Sequence, residues 1–178
     1  MSDKKIDADF IKYWMPFYDK PDIGADYSEY TSIMNKVHRD VANGTIYEST
    51  FKDILDWKAA RIKGKVDWNN FEYYDNTFKE MLKAEDDAKL SILCQLDGIG
   101  VPTASTILHF IYPERFPIID YRVMEVLNNF GYLNTKNATS ESNYHKYRNV
   151  ILNIAAESNC SLSELDRALF AYHKENLD

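Results

Sequence analysis

Leu96-Asp97-Gly98-Ile99-Gly100-Val101-Pro102-Thr103-Ala104-Ser105-Thr106-Ile107-Leu108 is the stretch that decides the fold. Two glycines separated by one apolar residue stand between two helical patterns, and a reversal this tight needs backbone angles that glycine adopts without strain. Pro102 suits the first turn of the second helix, where its missing N–H removes no internal bond. Ala104 is small enough to let the two helices cross closely, while Ile99, Ile107 and Leu108 fill the space between them. Backbone N–H groups at the start of the second helix then face solvent, and together with the helix dipole they suit a phosphate oxygen. The candidate contacts are Gly98, Ile99, Gly100 and Thr103.

Outward from this turn the pattern is helical on both sides. Upstream, the spacing predicts a short aromatic helix over 7–15, ended by Pro16 and Pro21. A second runs over 27–42, with Asp26 as its cap, Tyr30, Ile33, Met34, Val37 and Val41 on one face, and Asn43-Gly44 as its stop. Ser49 or Thr50 is expected to cap a third helix, in which Phe51, Ile54, Leu55 and Ala59 share a side, with Gly64 closing the region. Phe71, Tyr74, Phe78, Met81 and Leu82 place another helix over 68–84, and Asp86 or Asp87 begins one that reaches Leu96. Downstream of a helix over 102–111, the prolines of Tyr112-Pro113-Glu114-Arg115-Phe116-Pro117 mark a turn. Asp120 starts a helix that Gly131 ends, and 144–157 forms another. Ser161 with Glu164 three residues later is a capping box for the last, which faces Leu165, Leu169 and Tyr172 inward. No strand-like alternation, repeat or low-complexity linker interrupts the series. The expectation is a single all-α, multi-helix domain over 1–178.

Composition narrows the class. At 178 residues with 45% hydrophobic and 28% charged side chains, the chain can bury one sizeable core and is not a disordered polymer. Its 13 tyrosines and 9 phenylalanines read first as packing along helix seams. Cys94 and Cys160 sit within or beside apolar helical patterns and read as reduced thiols, not as a disulfide. No leader-like or membrane-spanning apolar run is seen, so the expectation is a cytoplasmic protein with no membrane partner. The net charge of −7 counts against a nucleic-acid partner for the chain as a whole, though a local face can depart from that average. Over 89–131 three basic residues (Lys89, Arg115, Arg122) face four acidic ones (Asp97, Glu114, Asp120, Glu125), net −1.

The full pattern Leu-x-Gly-x-Gly-x-x-Thr-Ala-x-x-Ile-Leu, within 90–111, reads as a helix-hairpin-helix motif. Phe116-Pro117-Ile118-Ile119-Asp120-Tyr121-Arg122-Val123 follows it as an apolar run ending in an aspartate that starts a helix. Over roughly 90–131 this arrangement resembles the helix-hairpin-helix DNA glycosylase superfamily, which includes endonuclease III and the adenine glycosylases. The resemblance implies a base-excising hydrolase acting on DNA, with Asp120 as the carboxylate. A carboxylate there stabilises the positive charge that builds on the sugar and orients or deprotonates the attacking water, as in glycoside hydrolysis. The base would leave the stack to enter a pocket. Bifunctional relatives carry a nucleophilic lysine where this chain has Pro102, so no lyase reaction by that route is expected. Two cysteines far apart cannot supply the four thiolates of an iron–sulfur cluster, so no cofactor is expected.

Other candidates are weaker. Trp57-Lys58-Ala59-Ala60-Arg61, followed by Lys63 and Lys65, is the one basic cluster beside a large aromatic. Lys58, Arg61 and Lys65 would share a helical side if the helix continued and could contact phosphates; a solvated helix C-terminus is the commoner reading. Arg122 could hold a phosphate or pair with a carboxylate. His38, His109, His145 and His173 lack ligand spacing, so no metal site is expected; His109 reads as a core or surface side chain. Asp166 and Arg167 could support a site indirectly. Asp120 also suits a plain helix cap, which leaves an alternative: a non-catalytic helix-hairpin-helix module that binds nucleic acid or a protein.

Overall fold

The structure is a computed structural model that describes residues 5–23 and 27–178. The expected all-α architecture is present. Among the described residues the helices are α1 (Ala8–Trp14), α2 (Tyr27–Ala42), α3 (Glu48–Ala59), α4 (Phe71–Lys83), α5 (Asp86–Cys94), α6 (Val101–Ile111), α7 (Tyr121–Asn129), α8 (Glu141–Ser158) and α9 (Leu162–Asn176), with no strand. Short 3-10 segments cover Met15–Asp19, Ala60–Lys65 and Trp68–Asn70. Among the described residues no helix is long and apolar enough to cross a membrane. The chain divides into two compact units: Ser28–Tyr112, and a second assembled from Met1–Tyr27 with Pro113–Asp178.

In the unit Ser28–Tyr112, α2 buries Tyr30, Ile33 and Val37 and ends at Gly44, whose φ of +80° suits a residue without a side chain. The predicted cap Asp26 lies outside the described residues. For α3 the expected cap is corrected: the helix opens at Glu48, with Tyr47 as the residue before it. The Phe51 N–H already bonds to the Tyr47 carbonyl at 2.9 Å, and Thr50 is buried, so neither Ser49 nor Thr50 is free to serve as the cap. α3 packs Phe51, Ile54 and Leu55 inward. It then breaks at Ala59, which is extended (φ −173°, ψ 107°). Lys58, Arg61 and Lys65 therefore do not share one α-helical side. α4 presents Tyr74, Phe78 and Met81 to the core. α5 stops at Cys94, two residues before the expected Leu96, because the Leu96 N–H tightens onto the Leu93 carbonyl at 3.1 Å. α6 is covered on nearly every side, with Val101 and 103–111 all buried.

In the other unit, Asp7 caps α1 by accepting the Phe10 N–H at 3.0 Å. Phe10, Trp14, Phe130 and Tyr172 form an aromatic cluster with ring centroids 5.2–6.4 Å apart. α7 ends at Gly131 (φ +78°). α8 opens three residues before the expected Tyr144, since the Ser140 hydroxyl accepts the Asn143 N–H. The capping box of α9 is complete: the Ser161 hydroxyl accepts the Glu164 N–H at 3.1 Å, and the Glu164 carboxylate accepts the Ser161 N–H at 2.8 Å.

Ser161→Ala should lower stability by about 1 kcal/mol, the usual cost of losing a side-chain N-cap, read as a lower urea midpoint with an unchanged slope.

Candidate functional site

The candidate residues fall in both units, and each group is built from its own surroundings. The turn between α5 and α6 is closed by the Ile99 N–H donating to the Leu96 carbonyl at 3.1 Å. Gly98 sits at φ +82°, and a Cβ added there would lie 2.7 Å from the Lys65 carbonyl oxygen and 2.8 Å from the Lys65 Cβ. The 3-10 segment thus lies directly against the turn, and both conformation and space demand glycine. Gly100 differs: its φ is −91° and the nearest atom to an added Cβ is Pro102 Cδ at 3.9 Å. Tyr74, buried on α4, donates its hydroxyl to the Asp97 carbonyl at 2.8 Å and accepts the Asp67 N–H at 3.2 Å. Burial pushes that phenol above its ordinary pKa, keeping it a donor.

Of the four candidate contacts at the turn, Gly100 is exposed and Gly98 half-buried, whereas Ile99 and Thr103 are buried. Gly100 begins α6, accepting the Ala104 N–H at 2.9 Å. Pro102 occupies the first turn, and its carbonyl takes hydrogen bonds from the Ser105 and Thr106 hydroxyls at 2.8 and 2.9 Å. The charges around the turn are rearranged relative to a sequence count. Lys89 is buried, with Nζ 2.9 Å from the Met81 carbonyl, where it closes the end of α4, and over the Tyr112 ring at 5.0 Å. Lys65, whose backbone lies against Gly98, is exposed. Lys63 pairs with Asp56 at 2.5 Å. Lys58 (half-buried), Arg61 and Lys65 (both exposed) make no ion pair with another described residue. Asp97 is exposed. His109 is a core side chain, its Nε2 2.7 Å from the Tyr30 hydroxyl.

In the other unit, Asp120 is the N-cap of α7. Its Oδ1 accepts the N–H groups of Arg122 at 2.9 Å and Val123 at 3.1 Å, and Oδ2 accepts no hydrogen bond from a described residue. The carboxylate is half-buried. Arg122 lies with its guanidinium carbon 4.6 Å from the Tyr121 ring centroid and 5.2 Å from that of Phe170. Among the described residues its buried Nε has no hydrogen-bond partner and it forms no ion pair, so it stacks on the two rings without pairing to a carboxylate. Arg167 stacks over Tyr27 at 4.3 Å.

The segment leading to Asp120 is held by α8. Its carbonyls at Arg115, Pro117 and Ile118 accept, respectively, from Arg148 Nε at 2.7 Å, the Tyr144 hydroxyl at 3.0 Å and the Tyr147 hydroxyl at 2.5 Å. Burial raises both phenols well above the ordinary tyrosine range, and the negative charges of Asp166 and Asp120 add to the rise at Tyr147. Sequence reasoning missed these three residues. Their signal is a Tyr-x-x-Tyr-Arg spacing, which puts all three side chains on one helix face.

Among the described residues no group of three or more His, Cys, Asp or Glu side chains is arranged to hold a metal ion. Cys94 and Cys160 form no disulfide and are half-buried. No family model matches the chain, and no curated protein matches it in sequence.

Gly98→Ala should destabilise the fold by at least about 1–3 kcal/mol, from the strained dihedral with the Lys65 clash added. Gly100→Ala should stay within about 0.5 kcal/mol. Paired thermal melts of the two variants check the contrast. Tyr74→Phe, which strands the Asp97 carbonyl and the Asp67 N–H, should cost about 1–3 kcal/mol in the same assay.

Proposed function

We propose that this chain is a monofunctional DNA glycosylase-like hydrolase that cleaves a base–deoxyribose N-glycosidic bond. The observation that carries the reading is the divided carboxylate of Asp120: one oxygen is fixed by two backbone N–H groups and the other takes no hydrogen bond from a described residue. A carboxylate locked by one oxygen presents the second in a fixed direction, which is what charge stabilisation in a transition state requires. As the C1′–N bond lengthens, positive charge accumulates on the sugar and Asp120 stabilises it. A water oxygen bonds to C1′, its proton passes to the carboxylate, and the departing base takes up a proton in turn.

Support for a DNA substrate comes from the α5–α6 turn, read as a helix-hairpin-helix. Gly100 is exposed at the start of α6, and Lys65 lies against Gly98. Backbone N–H groups and a nearby free cation suit a phosphate oxygen. Pro102 offers no amine, so the reaction ends at base release without a Schiff base. A second reading, a binding module without catalysis, is favoured by the exposed Asp97 carboxylate in the turn, which repels phosphate, and by the sufficiency of Asp120 as a helix cap.

Asp120→Asn separates the two, because asparagine caps a helix about as well as aspartate but cannot carry the charge. With duplexes bearing a panel of damaged bases, the wild type should release a base and the variant should be slower by at least about 100-fold, at unchanged melting temperature. Borohydride should trap no covalent enzyme–DNA product. No release from any duplex by the wild type would remove the hydrolase reading, and binding insensitive to salt would remove the phosphate contacts.

A further inference from the structure

We infer that Tyr147, with Tyr144 beside it, is a positioning residue for Asp120: α8 sets where the carboxylate projects by holding the backbone that precedes it. As a contribution to base excision this rests on the reading above; as a statement about what fixes Asp120 it stands on the geometry alone.

The chain between Tyr112 and Asp120 has no helix to hold it. Phe116, Pro117, Ile118 and Ile119 are nonetheless buried, so their backbone carbonyls need partners away from water. Two of those partners are phenols one helical turn apart: Tyr144 reaches the Pro117 carbonyl and Tyr147 the Ile118 carbonyl, two residues before Asp120. Arg148 adds the Arg115 carbonyl and lies over the Phe116 ring at 4.3 Å. Three bonds from a single helix face to a run of four residues fix both its path and its rotation. The direction in which Asp120 leaves the backbone follows from that rotation.

Both phenols are almost completely buried, and that burial, with the charges of Asp166 and Asp120 added, disfavours ionisation of Tyr147. The Tyr147 hydroxyl therefore remains a donor to the Ile118 carbonyl. Aspartate's own bonds to the Arg122 and Val123 N–H groups then lock the carboxylate rotamer. Position comes from α8 and orientation from the start of α7. Removing the phenolic oxygen leaves the ring in the core but releases the Ile118 carbonyl, and the loosening should pass to the cap.

The test measures amide hydrogen exchange by NMR in the full chain for wild type, Tyr147→Phe and Tyr144→Phe. The readout is the Arg122 and Val123 amides, with the Glu164 amide, capped by Ser161, as internal control. The expected result is exchange at Arg122 and Val123 faster by about tenfold or more in Tyr147→Phe, a smaller effect in Tyr144→Phe, and no change at Glu164. An equal rise at all three amides, or none, overturns the inference. Should Tyr147→Phe fail to fold, Tyr144→Phe decides by the same amides. Where the wild type releases a base, Tyr147→Phe should lower kcat at unchanged KM, and an unchanged kcat overturns the catalytic half of the inference. A wild type that releases nothing removes the hydrolase reading, while the exchange pattern still decides whether Tyr147 fixes Asp120.

Discussion

At Gly98 the chain runs so close to the backbone of Lys65 that no side chain fits between them. Much of the unit Ser28–Tyr112 is arranged to make that approach. α3 must break at Ala59 for the 3-10 segment to bring Lys65 across, and α5 must end early for the reversal to begin. Tyr74 spans the remaining distance, tying the Asp97 carbonyl to the Asp67 N–H. The same contact sets the direction in which α6 enters the core, and a helix buried on nearly all its length tolerates little error in that direction.

What the sequence made legible was whatever is written in local spacing. The caps at Asp120 and Ser161, the stops at Gly44 and Gly131 and the apolar faces of α2, α3 and α4 all follow from neighbours within one or two turns, and the structure contains them. The start of α3 was not legible, because Thr50 is a good cap by type but is buried, a fact set by the rest of the core. Lys89 misled for the same reason. In sequence it is a charge near the turn; in the fold it is buried, and it closes α4 through a carbonyl eight residues away. Tyr144 and Tyr147 read as packing because their partners lie 27 and 29 residues upstream, in a segment with no periodicity to announce that its carbonyls need donors.

Asp120 shows how one residue can satisfy two demands. A helix start needs an acceptor for its first N–H groups, and catalysis of the proposed kind needs a carboxylate that does not swing. Using Oδ1 for the first leaves Oδ2 for the second, so the cap itself supplies rigidity. Such a residue cannot be classed as structural or functional from its hydrogen bonds alone. Asparagine pulls the two demands apart, since it preserves the cap and removes the charge that the proposed chemistry requires.

Charge is the remaining argument, and it is local. The chain is net −7, yet residues 57–66 hold four cations and no acid. Lys63 is neutralised by Asp56, while Lys58, Arg61 and Lys65 carry no such partner among the described residues, and Lys65 lies against Gly98 of the turn. At physiological salt a charge is felt over roughly 8 Å. The field at the turn is therefore set by the charged side chains within that distance and not by the net charge of the chain. Lys65 and Asp97 belong to the two backbone segments that meet there, one on each arm of the contact that leaves no room at Gly98.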